Sequence, residues 1–530
     1  MASSIVLGIA VLIYLMITFY LGWMGYKQTK STDDFMVAGR KVNPFILALS
    51  YGAAFISTSA IIGFGGYAGA FGMGILWLVF MNIFVGIFIA FVVFGSRTRR
   101  MGVNLKAVTF PELIGKRFQS RFIQGFSGLL IALFMPLYAS SVLIGGARFM
   151  ETALGIDYNT AVLLLTIITA AYVITGGLIA VMYTDAMQGT LMFVGMAILM
   201  VYTYVTLGGV TSAHIALTNL ASMVPEAMTQ QGHMGWTSMP AFGSPIWWTL
   251  VSTIVLGVGI GVLAQPQLAV RFMTVKNTTS LKRAVLSGGP FIFMMVGVAY
   301  VVGALSNVYF INTRGMLSMD VAGGNIDKIM PEYINSAMPD IFVVFFMLTL
   351  LAAAMSTLSS LFHNMGTAIG HDLYRESIMR GKIGHTISIT KLGIGITIII
   401  SVILAYTLPI GIIARATAIF FGLTAAAFLP MYAGAIFWKR MTKEGAIASL
   451  LVGTFSSLFW LTFVHAKEAS ALGISQAIFG QTTLLTGTWT LVDPILVATP
   501  LSIFFAVGVS LMTKPTSQEH IEKCFGEQEG

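Results

Sequence analysis

The chain has 530 residues, 57% of them hydrophobic and 9% charged, with a net charge of +9 and a mean hydropathy of +0.87. The surface of a soluble globular chain needs roughly a quarter charged residues, so this composition excludes a soluble protein and indicates a single polytopic membrane bundle. The one cysteine, Cys524, excludes an internal disulfide, and the seven histidines are scattered, none standing with a Cys or Glu at metal-ligand spacing.

The start of the chain, Met1-Ala2-Ser3-Ser4, lacks the basic region and small-residue cleavage site of a signal peptide. The apolar stretch that follows is long enough to span and reads as a retained helix. Thirteen spans are expected, near 4–26, 43–72, 74–96, 122–147, 158–175, 178–207, 246–272, 285–309, 340–369, 387–408, 411–438, 445–465 and 489–512. Only Gly176-Gly177 separates the fifth from the sixth. The tail 513–530 is polar and reads as disordered, and no low-complexity tract or soluble domain is present.

Charge orients this map. With the N-terminus outside, the inward loops hold 24 of the 29 lysines and arginines, among them Lys27, Arg40, Arg97, Arg117, Arg271, Lys382 and Lys439. The outward loops hold Arg148, Arg314, Lys328 and Lys467, Arg415 lies within a span, and the loop 208–245 has no basic residue. That asymmetry follows the positive-inside rule and places the C-terminus in the cytoplasm. The basic excess therefore marks orientation in a cell membrane, not a nucleic-acid surface.

Two spans carry helix-breaking chemistry. The second runs through Gly52-Ala53-Ala54-Phe55-Ile56-Ser57-Thr58-Ser59-Ala60 to Gly63, Gly65, Gly66 and Gly69. The seventh runs Gly257-Val258-Gly259-Ile260-Gly261-Val262-Leu263-Ala264-Gln265-Pro266-Gln267. Proline removes a backbone donor, and glycine weakens a helix by about 1 kcal/mol. The two spans lie five apart, as interrupted helices do in transporters built from inverted repeats. Close helix packing is the alternative use of such glycines.

Asp185 stands in the middle of the sixth span, and the ninth reads Ala352-Ala353-Ala354-Met355-Ser356-Thr357-Leu358-Ser359-Ser360. Positions three and four apart share a face, so Ala353, Ser356, Ser359 and Ser360 form one stripe flanked by Thr357. Hard cations prefer oxygen ligands, and a carboxylate in a span usually faces an ion path. Serines that bond back to their own helix or glue neighbouring helices give the alternative reading.

Several stretches resemble the sodium:solute symporter family, which includes proline, pantothenate and monocarboxylate permeases. They are Asp34-Phe35-Met36-Val37-Ala38-Gly39-Arg40; Gly176-Gly177 with Thr184-Asp185 and Gln188; Gln265-Pro266 with Ala269-Val270-Arg271; and Ala353-Ala354-Met355-Ser356-Thr357 closing with Asp372-Leu373-Tyr374. Ile144-Gly145-Gly146-Ala147-Arg148 with Glu151 is most similar to the pantothenate branch.

The resemblance implies an all-α polytopic membrane protein with a LeuT-like core of two inverted five-helix repeats, 43–207 and 246–438. One helix (1–26) precedes the core, and two helices (445–512) and a tail (513–530) follow it. It also implies Na+-coupled symport of a small organic solute into the cell by alternating access, with no enzymatic activity and no obligate protein partner. The implied sodium site uses the carbonyls of Ala53, Ile56 and Ala353 and the hydroxyls of Ser356 and Thr357. A second site, present in some members, matches Asp185, Ser356, Ser359 and Ser360.

The expected solute-lining residues are Ser57, Thr58, Trp77, Tyr138, Gln265 and Gln267, beside a half-helix N-terminus suited to an anion. The chain lacks the arginine that sialic-acid-type members carry in the fourth span, and Phe55 and Ala60 replace polar residues of other members. A compact, partly apolar solute such as proline, pantothenate or a monocarboxylate therefore fits better than a sugar. The competing classes are a channel or transporter-derived sensor, and an integral membrane enzyme built around His363 and Asn364.

Overall fold

Lipid offers no partner to a backbone N–H or C=O, so a chain this apolar satisfies its backbone within helices. The computed structural model describes residues 4–381 and 386–526; Lys382, counted above among the inward residues, lies outside them. Among the described residues, eleven helices are long and apolar enough to cross a membrane, a bent pair forms another crossing, and Tyr158–Ala171 is a shorter apolar helix. The expected segments therefore appear in order.

The first crossing is α1 (Ser4–Gln28). The broken crossing α2 (Pro44–Phe55) and α3 (Ser59–Phe71) follows, then α4 (Met73–Asn104), the short α5 (Phe110–Arg117) and α6 (Arg121–Leu154). Helix α7 (Tyr158–Thr206) contains two crossings joined at Gly177, whose φ of 61° and ψ of −168° interrupt the helix. The bend needs glycine twice over, because a Cβ there would also lie 2.6 Å from the Phe35 ring.

The second set begins with α8 (Pro245–Ala264), which stops at the extended Gln265 and resumes as α9 (Pro266–Ala269) and a 3-10 turn to Thr274. It continues with α10 (Thr278–Arg314), the short α11 (Ile329–Ala337), α12 (Asp340–Ile378), α13 (Thr386–Thr407) and α14 (Ile413–Phe437). Two further crossings, α15 (Lys443–Phe463) and α17 (Ile495–Met512), flank the short α16 (Ala466–Leu472).

Local signals start these helices where the chain needs them. Asn43 accepts a hydrogen bond from the Phe45 N–H at 2.9 Å, with Pro44 in the first turn of α2. Thr109 caps α5 by accepting from the Glu112 N–H at 3.1 Å.

Two expectations need correcting. The tail is not an unstructured segment: α18 (Gln518–Phe525) buries Ile521 and Cys524 against the bundle. Asn104 Nδ2 donates to the Gly526 carbonyl at 2.9 Å, and the Arg117 and Lys439 cations lie over the Phe525 ring. The signal was an apolar i, i+3, i+4 stripe of Ile521, Cys524 and Phe525. In addition, Arg271 is not a loop residue: it is fully buried in the core.

Candidate cation and solute site

The centre of the molecule is the break between α2 and α3, which turns the crossing by 55°. Ile56 is extended there (φ −91°, ψ 101°), so the last carbonyls of α2 lose their intrahelical partners. Helix α12 passes this break and supplies hydroxyls to it. Ser356 Oγ donates to the Ala53 carbonyl at 2.9 Å and lies 3.3 Å from the Ala353 carbonyl. Thr357 Oγ1 lies 3.3 Å from the Ala53 and 3.4 Å from the Ala54 carbonyl. All of these residues are buried. Carbonyls and hydroxyls from two helices distant in sequence thus meet in the buried interior; the hydroxyl contacts are to the Ala53, Ala54 and Ala353 carbonyls, and Ile56 is the buried extended residue at the break. That donor set suits a monovalent hard cation.

Asp185 lies in the second arm of α7, fully buried. Its Oδ2 accepts from Ser50 Oγ at 2.9 Å and from Arg271 Nη2 at 2.8 Å. The Ser359 and Ser360 hydroxyls approach it at 3.4 and 3.5 Å, whereas the Ser356 hydroxyl is committed to the Ala53 and Ala353 carbonyls. Arg271 Nη2 also donates to Ser360 Oγ at 2.6 Å, Nε to Ser50 Oγ at 3.1 Å and Nη1 to the Gln267 carbonyl at 2.6 Å. The guanidinium therefore stands among the residues expected to hold a second sodium. An arginine side chain keeps its charge in proteins, so it compensates Asp185 as an ion would. Sequence reading missed Arg271 and Ser50 because hydropathy assigns the first to a loop and marks the second as an ordinary helix serine.

Five of the six expected solute-lining residues are buried around the two breaks. Tyr138 Oη donates to Ser57 Oγ at 3.3 Å, and its ring stacks on Phe420 and meets Phe421 edge-on. Gln265 Nε2 donates to Thr424 Oγ1 at 2.7 Å and to the Gly261 carbonyl at 3.1 Å, and Gln267 Nε2 to Gln265 Oε1 at 3.3 Å. Gln267 Oε1 is buried with no hydrogen-bond partner among the described residues. Thr58 turns away, donating to the Val142 carbonyl on α6 at 2.7 Å.

Trp77 is a correction. It is 57% exposed on the outer face of α4, in a stripe with Phe80, Phe84 and Phe88. Spacings of three and four mark that stripe as a lipid face. The α14 groups that contact Tyr138 and Gln265, Phe420, Phe421 and Thr424, were not anticipated.

Several basic residues of the expected inward loops meet at one end of the bundle. Arg40 Nη2 donates to the Ala107 carbonyl at 2.5 Å, and Arg99 Nε to the Val275 carbonyl at 2.9 Å. Also at this end, Lys116 Nζ (2.8 Å) and His371 Nε2 (3.4 Å) face the Glu112 carboxyl. Burial pushes that carboxyl up, but these two neighbours outweigh burial and hold it at about 2. At the opposite end Arg148 pairs with Glu151 at 2.8 Å.

Arg415 lines a cavity of about 220 Å³ at that opposite end, together with Tyr67, Phe71, Asp327 and Lys467. It pairs with Glu468, whose other oxygen meets His465. These partners hold Glu468 at about 2 against a burial effect of opposite sign. Two histidines, expected to stand with no Cys or Glu, in fact find one three or four residues along the chain, His465 with Glu468 and His520 with Cys524 at 3.4 Å. Among the described residues, no three His, Cys, Asp or Glu side chains converge as a metal site.

With the geometry in hand, comparisons place the chain among known proteins. The model of the sodium:solute symporter family matches residues 35–453. The osmoregulated proline transporter OpuE of Bacillus subtilis (strain 168) is 29% identical over 476 residues, covering 89% of this chain and 92% of that protein. The high-affinity proline transporter PutP of the same organism is 28% identical over 512 residues, covering 94% and 96%. Among solved structures, a substrate-bound, outward-open Na+-coupled sialic acid symporter superposes with a TM-score of 0.76 at 19% identity, covering 97% of this chain and 98% of that one. The shared fold is the LeuT-like core of two inverted five-helix repeats, with one helix before it and two after.

Proposed function

This chain belongs to the sodium:solute symporter family, a multi-pass membrane transporter with Na+ as coupling ion, and from that premise we propose that it carries proline, or an imino or amino acid of similar size, into the cell across the plasma membrane. The observation that carries the cation half is the meeting of Ser356 and Thr357 with the carbonyls released at the α2–α3 break. The names of the relatives support the solute half. They favour proline over pantothenate, the branch that the Ile144–Glu151 stretch most resembles. Arg148 of that stretch is occupied by Glu151 and by the Tyr158 ring, so it is not available to a solute carboxylate.

Sodium sits between the Ala53, Ile56 and Ala353 carbonyls and the Ser356 and Thr357 hydroxyl oxygens, each hydroxyl keeping its proton and turning a lone pair to the ion. It fastens the α2–α3 break to α12, and the ordered break then directs the positive N-terminal end of α3 at the solute carboxylate. The pyrrolidine ring packs against Tyr138 and Phe421, and Gln265 and Gln267 close the site from the second broken helix. Joint occupancy lets the bundle rock to the opposite-facing state. The drive is the sodium gradient plus about 2.3 kcal/mol per charge per 100 mV. The arginine-rich end faces the cytoplasm. One sodium per cycle is the stoichiometry, because Arg271 occupies Asp185 Oδ2 and the Ser360 hydroxyl, two of the groups expected to hold a second ion.

Proteoliposomes loaded without sodium should accumulate labelled proline when an inward sodium gradient is imposed. Equal uptake with potassium in place of sodium overturns the coupling. Competition by pantothenate or a monocarboxylate, with none by proline, overturns the solute. In the same assay Gln267→Leu should raise the solute KM about tenfold, as expected for loss of one buried polar partner. Trp77→Leu, on the lipid face, should leave KM within about twofold of the parent.

A further inference from the structure

Helix α1 lies outside the ten-helix core, and most of its surface faces lipid: Ile9, Leu12, Ile13, Met16, Ile17, Tyr20 and Trp23 are all exposed. Its inward stripe is Tyr14, Thr18, Gly22 and Gly25, spaced by four, four and three residues. Gly25 brings the two backbones together, since a Cβ there would lie 2.5 Å from the Ala180 Cα on α7. This close approach carries two polar side chains of α1 into the core: Thr18, which bonds back to the Tyr14 carbonyl at 2.9 Å, and Tyr14, which reaches other helices. Tyr14 is 4% exposed, and its hydroxyl accepts from Gln188 Nε2 at 2.9 Å while donating to Met355 Sδ at 3.6 Å.

Both partners adjoin the cation machinery. Gln188 is one turn beyond Asp185 on the same face of α7. Met355 immediately precedes Ser356 on α12. Gln188 is fully buried, and its Oε1 has no hydrogen-bond partner among the described residues, so the Tyr14 hydroxyl is what holds this amide in one orientation.

We infer that Tyr14, on a helix outside the transport core, is a positioning residue for the sodium site: its hydroxyl ties α7 to α12 at the level of Asp185 and Ser356. Without that hydroxyl, both ends of the Gln188 amide are buried without a partner, and such a group gains by rotating or drawing in water. The spacing of α7 and α12 then relaxes, and with it the set of the Ser356 hydroxyl. The solute site is affected only through sodium. This inference rests on the sodium site proposed above.

The test uses the full chain in proteoliposomes and compares Tyr14→Phe, Gln188→Leu, the double variant and Ser356→Ala. Reconstituted protein is quantified, and two readouts are taken: the sodium concentration for half-maximal proline uptake, and the proline KM at saturating sodium. Tyr14→Phe keeps the ring and should raise half-saturating sodium about fivefold. The proline KM at saturating sodium should stay within about twofold, and the double variant should be no worse than Gln188→Leu alone. An unmoved sodium requirement, equal losses of sodium and proline affinity, or additive losses in the double variant overturns the inference. If Ser356→Ala shifts while Tyr14→Phe does not, the Tyr14 role alone falls. If Ser356→Ala also leaves the sodium requirement unchanged, the sodium-site reading falls and takes this inference with it.

Discussion

Ser356→Ala should raise the sodium concentration for half-maximal uptake at least tenfold while leaving the amount of folded protein near that of the parent. The Ser356 hydroxyl bridges the Ala53 and Ala353 carbonyls at 2.9 and 3.3 Å. Removing it deletes one oxygen ligand and leaves the buried Ala53 carbonyl with only the longer contact from Thr357 at 3.3 Å. A buried polar group stripped of its partner costs about 1–3 kcal/mol, or roughly five- to a hundredfold in an affinity. Thr357→Ala should have a smaller effect, since both its carbonyl contacts are longer. Ser360→Ala is the internal control. Its hydroxyl accepts from Arg271 and donates to the Ser356 carbonyl, making no contact with the α2 break, so its sodium requirement should stay within about threefold. Sodium titrations of proline uptake separate the three. A Ser356→Ala protein with the parental sodium requirement would place the coupling ion elsewhere.

The candidate site is legible in sequence where its chemistry is local. Released carbonyls need a helix to stop, and the glycines and hydroxyls around Ile56–Ser59 advertise that stop within one segment. The stripe Ala353–Ser356–Ser360 needs only helical periodicity. Asp185 announces itself because a carboxylate in an apolar span demands a reason. Arg271 was illegible for the opposite reason: a window of hydropathy places it at the end of a span, next to Lys276, Lys282 and Arg283. Only the resumption of the chain at Pro266–Thr274 folds it back beneath α2, 86 positions away from Asp185. Tyr14 was hidden in the same way, since its partners on α7 and α12 are 174 and 341 residues distant. Trp77 is the residue whose true place is legible: its spacing with Phe80, Phe84 and Phe88 marks one exposed helix face.

The second large effect concerns the Asp185–Arg271 pair. Arg271→Met should sharply lower the yield of folded protein and abolish uptake. It leaves a fully buried carboxylate with Ser50 at 2.9 Å and two hydroxyls beyond 3.3 Å. Breaking a buried ion pair by removing one partner costs about 3–5 kcal/mol, whereas replacing both partners with apolar groups of similar volume is often neutral. Asp185→Leu alone should be just as damaging, because it strands the guanidinium. The double variant Asp185→Leu/Arg271→Met should recover folded protein to near the parental yield, with a coupling of about 3 kcal/mol or more between the two sites by thermal unfolding in detergent. Function discriminates further. If one sodium, held at Ser356 and Thr357, drives each cycle, the recovered double variant retains sodium-dependent uptake with a Hill coefficient near one in both proteins. If Arg271 withdraws during the cycle to admit a second sodium beside Asp185, the parent shows a steeper sodium dependence that the double variant loses. That result would replace the fixed arginine with a second ion.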